Sequence, residues 1–182
     1  MDVVNLIGVD PGIVDTGVVW VRLDRKHEIF KADARVWRNV TKKIKGGIEV
    51  SEQFLDELDR YVAIAADSGD ETHVFIEGYR NRGRNPGQDQ KMTMLVQTIH
   101  KLIKGSVVVD NTGVKNVVTD ETLRLLRMYD WKVATNHADL RSAARILMKG
   151  AYQEGKLNVM IADVIRGRLV DQSWTLTNSL ES

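Results

Sequence analysis

Two short apolar runs, far apart in the chain, each stop on a carboxylate. Leu6-Ile7-Gly8-Val9 ends on Asp10, and Thr72-His73-Val74-Phe75-Ile76 ends on Glu77. Each run is too apolar for a loop and too short for a stable helix, so each reads as a buried strand. Pro11 cannot donate to a sheet ladder and Gly12 accepts turn angles, so the chain reverses after Asp10 into a second strand over residues 16–21. An ionised group at the end of a buried strand is costly unless something compensates it. On this stretch alone Asp10 either caps the turn or faces a cation.

The segment between the two runs decides how they meet. Ser51 opens a helix with Phe54, Leu58, Tyr61, Val62 and Ala65 on one face and Glu52, Asp56, Glu57 and Arg60 on the other. Strand, helix and strand in succession form a parallel crossover, which sets the second strand beside the first and pointing the same way. Asp10 and Glu77 then meet at one sheet edge. Two close carboxylates raise each other's pKa unless a cation lies between them, and a hard divalent ion suits oxygen donors.

The rest of the chain fills in an α/β layout. Residues 28–37 read as a third strand of an antiparallel meander, 88–104 as a long amphipathic helix and 106–109 as a fifth strand. Residues 114–118 and 120–128 read as short helices, and 157–165 as a last amphipathic helix. Residues 40–47 read as an irregular basic loop because of their diglycine, with Lys42 and Lys43 either solvated or touching phosphates. The expected architecture is a five-stranded mixed sheet, antiparallel over its first three strands and then built by parallel crossovers, flanked by helices. A chain of 182 residues suits one domain, taken as 1–170, followed by a polar tail over 171–182.

Composition excludes some classes. With no cysteine there are no disulfides and no thiolate metal sites, so a metal would sit on oxygen or imidazole. The start of the chain runs straight into strand-like sequence, and no stretch approaches a membrane span, so a cytoplasmic protein without a membrane partner is expected. Net charge is only +1, so any basic surface must come from local clustering.

Such clustering follows Glu77 directly. In Gly78-Tyr79-Arg80-Asn81-Arg82-Gly83-Arg84-Asn85-Pro86-Gly87, glycine and proline hold out a loop whose Arg80, Arg82 and Arg84 can grip phosphate oxygens in pairs. Tyr79 either stacks on a base or closes the core. Lys115, just past the fifth strand, either reaches a phosphate or is plain surface. Further on, Asn136-His137-Ala138-Asp139 opens a helix whose Ala143 and Ala144 let it lie close against the sheet. Asp139 either favours the helix dipole or joins Asn136 and His137 as donors of the types that hold Mg²⁺ or Mn²⁺.

Three acids in this order resemble the layout of the RNase H-like nucleases and, within them, the RuvC-type Holliday junction resolvases. The resemblance is carried by Ile7-Gly8-Val9-Asp10-Pro11-Gly12 with Thr16-Gly17, by Val74-Phe75-Ile76-Glu77, by Val114-Lys115 and by Asn136-His137-Ala138-Asp139, and it spans residues 6–147. It implies an RNase H-like fold and a homodimeric endonuclease that cuts branched DNA such as four-way junctions, using two Mg²⁺ or Mn²⁺ ions per site. Asp10, Glu77 and Asp139 match the family's metal-binding acids. The family's fourth ligand, three residues before the last Asp, falls here on Asn136, a departure. Either Asn136 serves as a neutral ligand or, the preferred assignment, His137 takes over after a small shift at the helix start. Tyr79 resembles the aromatic that follows the family's Glu, and Lys115 its phosphate-contacting lysine. Arg141 and Arg145 give the chain the look of bacteriophage resolvases. Two other readings stand beside this one. One is a junction-binding protein with a degenerate site. The other is an actin-like ATPase or sugar-kinase fragment, whose first hairpin has a similar Asp-Gly and Thr-Gly pattern but whose second lobe finds no room here.

Overall fold

The computed structural model describes residues 3–24, 29–66, 70–80, 85–131 and 138–167. Strands β1 (Val3–Asp10), β2 (Asp15–Asp24) and β3 (Ile29–Arg38) form the antiparallel meander. Helix α1 (Glu52–Ala66) then crosses over to β6 (Glu71–Gly78), which pairs in parallel with β1. Helix α2 (Pro86–Leu102) leads to β7 (Val107–Asp110), parallel to β6. The sheet order β3-β2-β1-β6-β7 is the expected five-stranded mixed sheet.

Strand alternation divides the molecule into two cores, because successive side chains leave opposite faces of a sheet. Ile7, Val9, Val18, Trp20, Val74 and Ile76 face α1 and α2. Val4, Leu6, Val19, Val21, Leu23 and Phe75 face α5 (Ala138–Gln153). Asn5, fully buried on the α1 side, is satisfied there: its Nδ2 donates to the Ala65 carbonyl at 2.9 Å, and its Oδ1 accepts from Trp20 Nε1 at 3.1 Å. Short helices α3 (Val114–Val117) and α4 (Asp120–Leu125) follow β7, and α6 (Val159–Ile165) follows α5. Thr119 caps α4, its side chain accepting from the Thr122 amide at 3.2 Å.

Helix α5 lies unusually near the sheet, and glycines make room for it. A Cβ on Gly8 would stand 2.2 Å from the Ala143 carbonyl oxygen, and one on Gly150 would stand 2.3 Å from the Phe75 ring. Both distances are closer than a real side chain can come, so α5 meets the sheet's main chain directly at Gly8 and the Phe75 ring at Gly150.

The basic stretch after Val40 departs from the expected irregular loop. Strands β4 (Thr41–Ile44) and β5 (Gly47–Val50) pair as a small antiparallel hairpin, with Ile44 opposite Gly47. The two residues between them form a tight turn in which Gly46 takes φ +90°. A two-residue turn with positive φ at its second position favours glycine there, so the glycine that argues against regular structure in isolation is what permits a hairpin here. Thr41 Oγ1 donates to the Ile13 carbonyl at 2.6 Å, and the Val40 amide donates to the Val14 carbonyl at 3.1 Å. These bonds tie the hairpin to the turn that follows Asp10.

Candidate active site

The alternation that sorts the cores also assembles the site. Counting by twos from Val4 and Leu6, Gly8 and Asp10 lie on the α5 face; from Phe75, so does Glu77. Because β1 and β6 are parallel neighbours with Val9 opposite Ile76, the two carboxylates leave the same edge of the sheet on the same face. Asp10 is within hydrogen-bonding reach of both Glu77 and Ser142. Burial, with the charge and hydrogen bond of Glu77 next and the charge of Asp139 after them, pushes the Asp10 carboxyl up to about 9; Ser142 acts the other way.

Asp139 arrives through a second close approach. Gly17 pairs with Asp10 across β1 and β2, and a Cβ on Gly17 would lie 2.8 Å from the Asp139 backbone and 3.0 Å from its Cβ. The first turn of α5 therefore rests on the strand residue facing Asp10. Burial raises the pKa of Asp139, and the charge of Asp15 adds to it. Asp15 lies two residues before Gly17 and so on the same face.

Glu77 is gripped at both oxygens. Asn111 Nδ2 donates to Oε1 at 2.8 Å and Ser142 Oγ donates to Oε2 at 3.0 Å. Beside it opens a cavity of about 580 Å³ lined by Arg80, Thr112, Lys115 and Ser142 among others. Arg80 is exposed, with Nη1 donating to Thr112 Oγ1 at 3.2 Å. Lys115 is exposed on α3 at the cavity wall.

The remaining candidates fall in several places. Tyr79 is partly buried against the α1 and α2 core, and its hydroxyl donates to the buried carboxylate of Asp89. Lys42 and Lys43 are exposed on β4, and Lys43 lines a separate cavity of about 320 Å³ with Ile13, Asn85 and Lys91. Arg141 and Arg145 anchor α5. Arg141 Nε donates to the Tyr129 carbonyl at 2.8 Å, while Arg145 Nε donates to that of Val118 at 3.2 Å and its guanidinium pairs with Asp120. Arg82, Arg84, Asn136 and His137 lie outside the described residues.

Among the described residues no group of three His, Asp or Glu side chains is gathered closely enough to hold a metal ion. Asp10 and Glu77 make an adjacent pair, and Asp139 stands within electrostatic range of it. The chemistry of that pair suits a hard divalent cation: its donors are carboxylate oxygens, and Glu77, Asp139 and Ser142, which act on Asp10, carry no positive charge. Asp15, Asn111 and Ser142 are the site residues missing from the sequence reading. Ser142 was within reach of it, since it lies three residues after Asp139 and hence on the same helix face. Asn111 needed the register of β7, in which Val109 stands opposite Glu77.

No protein-family model matches the sequence, and no curated protein matches it. Among solved structures, T. thermophilus RuvC in complex with a Holliday junction substrate matches with a TM-score of 0.54 at 15% identity, over 87% of this chain and 99% of that one. A Thermus thermophilus RuvC structure matches at TM-score 0.49 and 16% identity, over 86% and 98% of the two chains. No described helix is long and apolar enough to cross a membrane. Sheet order, the position of α5 and the match over nearly the whole of the junction-bound RuvC chain agree, and this chain has a RuvC-like, RNase H-like fold.

Proposed function

We propose that this chain is a divalent-metal-dependent endonuclease that cuts branched DNA, four-way junctions above all, acting as a homodimer of the bacteriophage resolvase type. The observation that carries the reading is the Asp10–Glu77 carboxylate pair, set beneath the start of the helix bearing Asp139 in a fold shared with a junction-bound RuvC. Asp10, Glu77 and Asp139 would hold Mg²⁺ or Mn²⁺, with His137 or Asn136 completing the set. When bound, such ions lower the pKa of an attacking water and stabilise the charge on the leaving oxygen.

The chain's own residues prepare the rest. Asp10 and Glu77 concentrate negative charge at one sheet edge, which a phosphodiester approaches only once that charge is neutralised. Arg80 and Lys115 at the adjoining cavity supply positive charge for the flanking phosphates, and Arg82 and Arg84 would extend it along the strand. The exposed Lys42 and Lys43 on β4 are further phosphate contacts in this reading. Tyr79, packed against the α1 and α2 core with its hydroxyl tethered by Asp89, closes that core in this reading. Cutting a symmetric junction at two opposed points needs two such sites, which a two-fold dimer provides.

A labelled four-way junction incubated with the full chain and Mg²⁺ or Mn²⁺ tests this. Paired nicks at opposed positions are expected, and none in EDTA. Tight junction binding without nicking in either metal would leave a junction-binding protein in its place.

A further inference from the structure

The two groups that grip Glu77 come from separate parts of the chain, and neither can ionise. Asn111 follows β7 and donates to Oε1, while Ser142 sits in the second turn of α5, donates to Oε2 and also reaches Asp10. Asn111 is itself seated from beneath. Lys149, 7% exposed and two turns beyond Ser142 on α5, sends its Nζ to the carbonyls of Asp110 and of Thr112, the latter at 3.0 Å, one on either side of Asn111. Asp110 Oδ1 closes the same loop by accepting from the Thr112 amide at 3.0 Å and its hydroxyl at 2.9 Å. One helix thus places Ser142 directly and Asn111 through the loop that Lys149 braces.

The terminal torsion of a glutamate is broad, so an unheld carboxylate would sweep through many orientations beside Asp10. Two donors from two elements leave it one. They add no charge, so the site's demand for a cation is unchanged while the direction from which Glu77 meets it is fixed. We propose that Asn111 and Ser142 are positioning residues that fix the Glu77 carboxylate for a divalent cation shared with Asp10. This rests on the metal-dependent reading above. Partners of this kind, bonded to a ligand and not to the ion, typically contribute a factor of about 10–100 in metal affinity.

Binding of Mn²⁺ to the full chain without DNA, followed by electron paramagnetic resonance of the free ion, separates positioning from packing. Ser142→Ala and Asn111→Ala are each expected to weaken Mn²⁺ binding by roughly 10-fold or more. Ser142→Thr, which keeps the hydroxyl, is expected to stay within about 2-fold of the parent chain. Asn111 lies in a loop and Ser142→Ala favours the helix, so both alanine variants should fold, as circular dichroism would report. Mn²⁺ affinity within about 2-fold of the parent in both alanine variants would overturn the proposal, even if their melting points fall. A parent chain that binds no Mn²⁺ would instead overturn the metal-dependent reading, and this inference with it.

Discussion

The β1–β6 strand pair carries acids at both ends, in opposite circumstances. At the end where β6 begins, Glu71 accepts a hydrogen bond from Lys156 Nζ at 2.9 Å and has His73 Nε2 at 2.7 Å, and these two partners pull its pKa down to about 2. Arg22 pairs with Asp70 nearby. At the other end, Asp10 has Glu77 and Asp139 for charged neighbours, and burial with their repulsion pushes it up to about 9. Among the described residues, cations form ion pairs with the acids at the first end, whereas Arg80 and Lys115 only line the cavity beside Glu77. The acids at the first end are thus paired with the protein's own cations, while Asp10 has two further carboxylates as its charged neighbours, the contrast on which the proposed metal site rests.

The strongest way to break this contrast is to neutralise an acid at each end. Asp10→Asn or Glu77→Gln is expected to cut metal-dependent nicking of a four-way junction by roughly 10²–10³-fold or more, the scale on which a charge-stabilising group at a reacting centre acts. Binding of the same DNA should be kept or tightened, because an anion beside the phosphates is gone. Glu71→Gln should leave nicking unchanged. Gel assays of cleavage and binding on the three variants check both statements, and equal losses at the two ends would erase the distinction.

Next in size is the dependence of stability on pH without metal. The folded state holds the Asp10 proton more tightly than the unfolded chain does. The stability this contributes is therefore fully present below its ordinary value of 3.8 and is lost progressively as the pH rises toward about 9. Glu71 has the opposite sign: its contribution is present above its ordinary 4.5 and is lost as the pH falls through about 2. Melting curves in EDTA should thus fall from pH 5 to pH 9, Asp10→Asn should flatten that fall, and Mg²⁺ should raise the melting point most at the alkaline end. A fall of the same slope in Asp10→Asn would place the titrating group elsewhere.

A smaller effect is expected from Gly17→Ala. The added methyl meets the Asp139 backbone, so the start of α5 must move, at a cost of about 1–3 kcal/mol by the usual scale of overpacking. Chemical denaturation reads the stability, and nicking should fall along with it because Asp139 moves too. Smallest is Lys156→Ala, which removes a partly exposed pair from the opposite end and should cost no more than about 1 kcal/mol, with cleavage untouched.

The backbone of this arrangement was legible in the sequence because it depends on short-range rules. Two apolar runs ending in acids, separated by one amphipathic helix, suffice for a crossover that brings residues 10 and 77 to one edge, and strand parity puts both on one face. Asn111 and Ser142 were not legible as site residues, because neutral side chains advertise nothing until the β6–β7 register and the seat of α5 are known. The β4–β5 hairpin was missed because a turn glycine and a loop glycine look alike in a sequence. Asp15 lies just before the strand expected over 16–21, and its parity with Gly17 appears only once β2 is seen to begin at Asp15.

Within an otherwise aliphatic seat, Gly8 and Gly17 let α5 touch the main chain of the sheet, and Gly150 lets it touch the Phe75 ring. A helix seated on side chains can shift by a few tenths of an ångström when one of them is exchanged; one seated on a peptide backbone has no such adjuster. At Gly17 that contact is with the Asp139 backbone itself, so substitutions in the surrounding core are expected to alter how firmly the chain is folded before they alter where Asp139 stands.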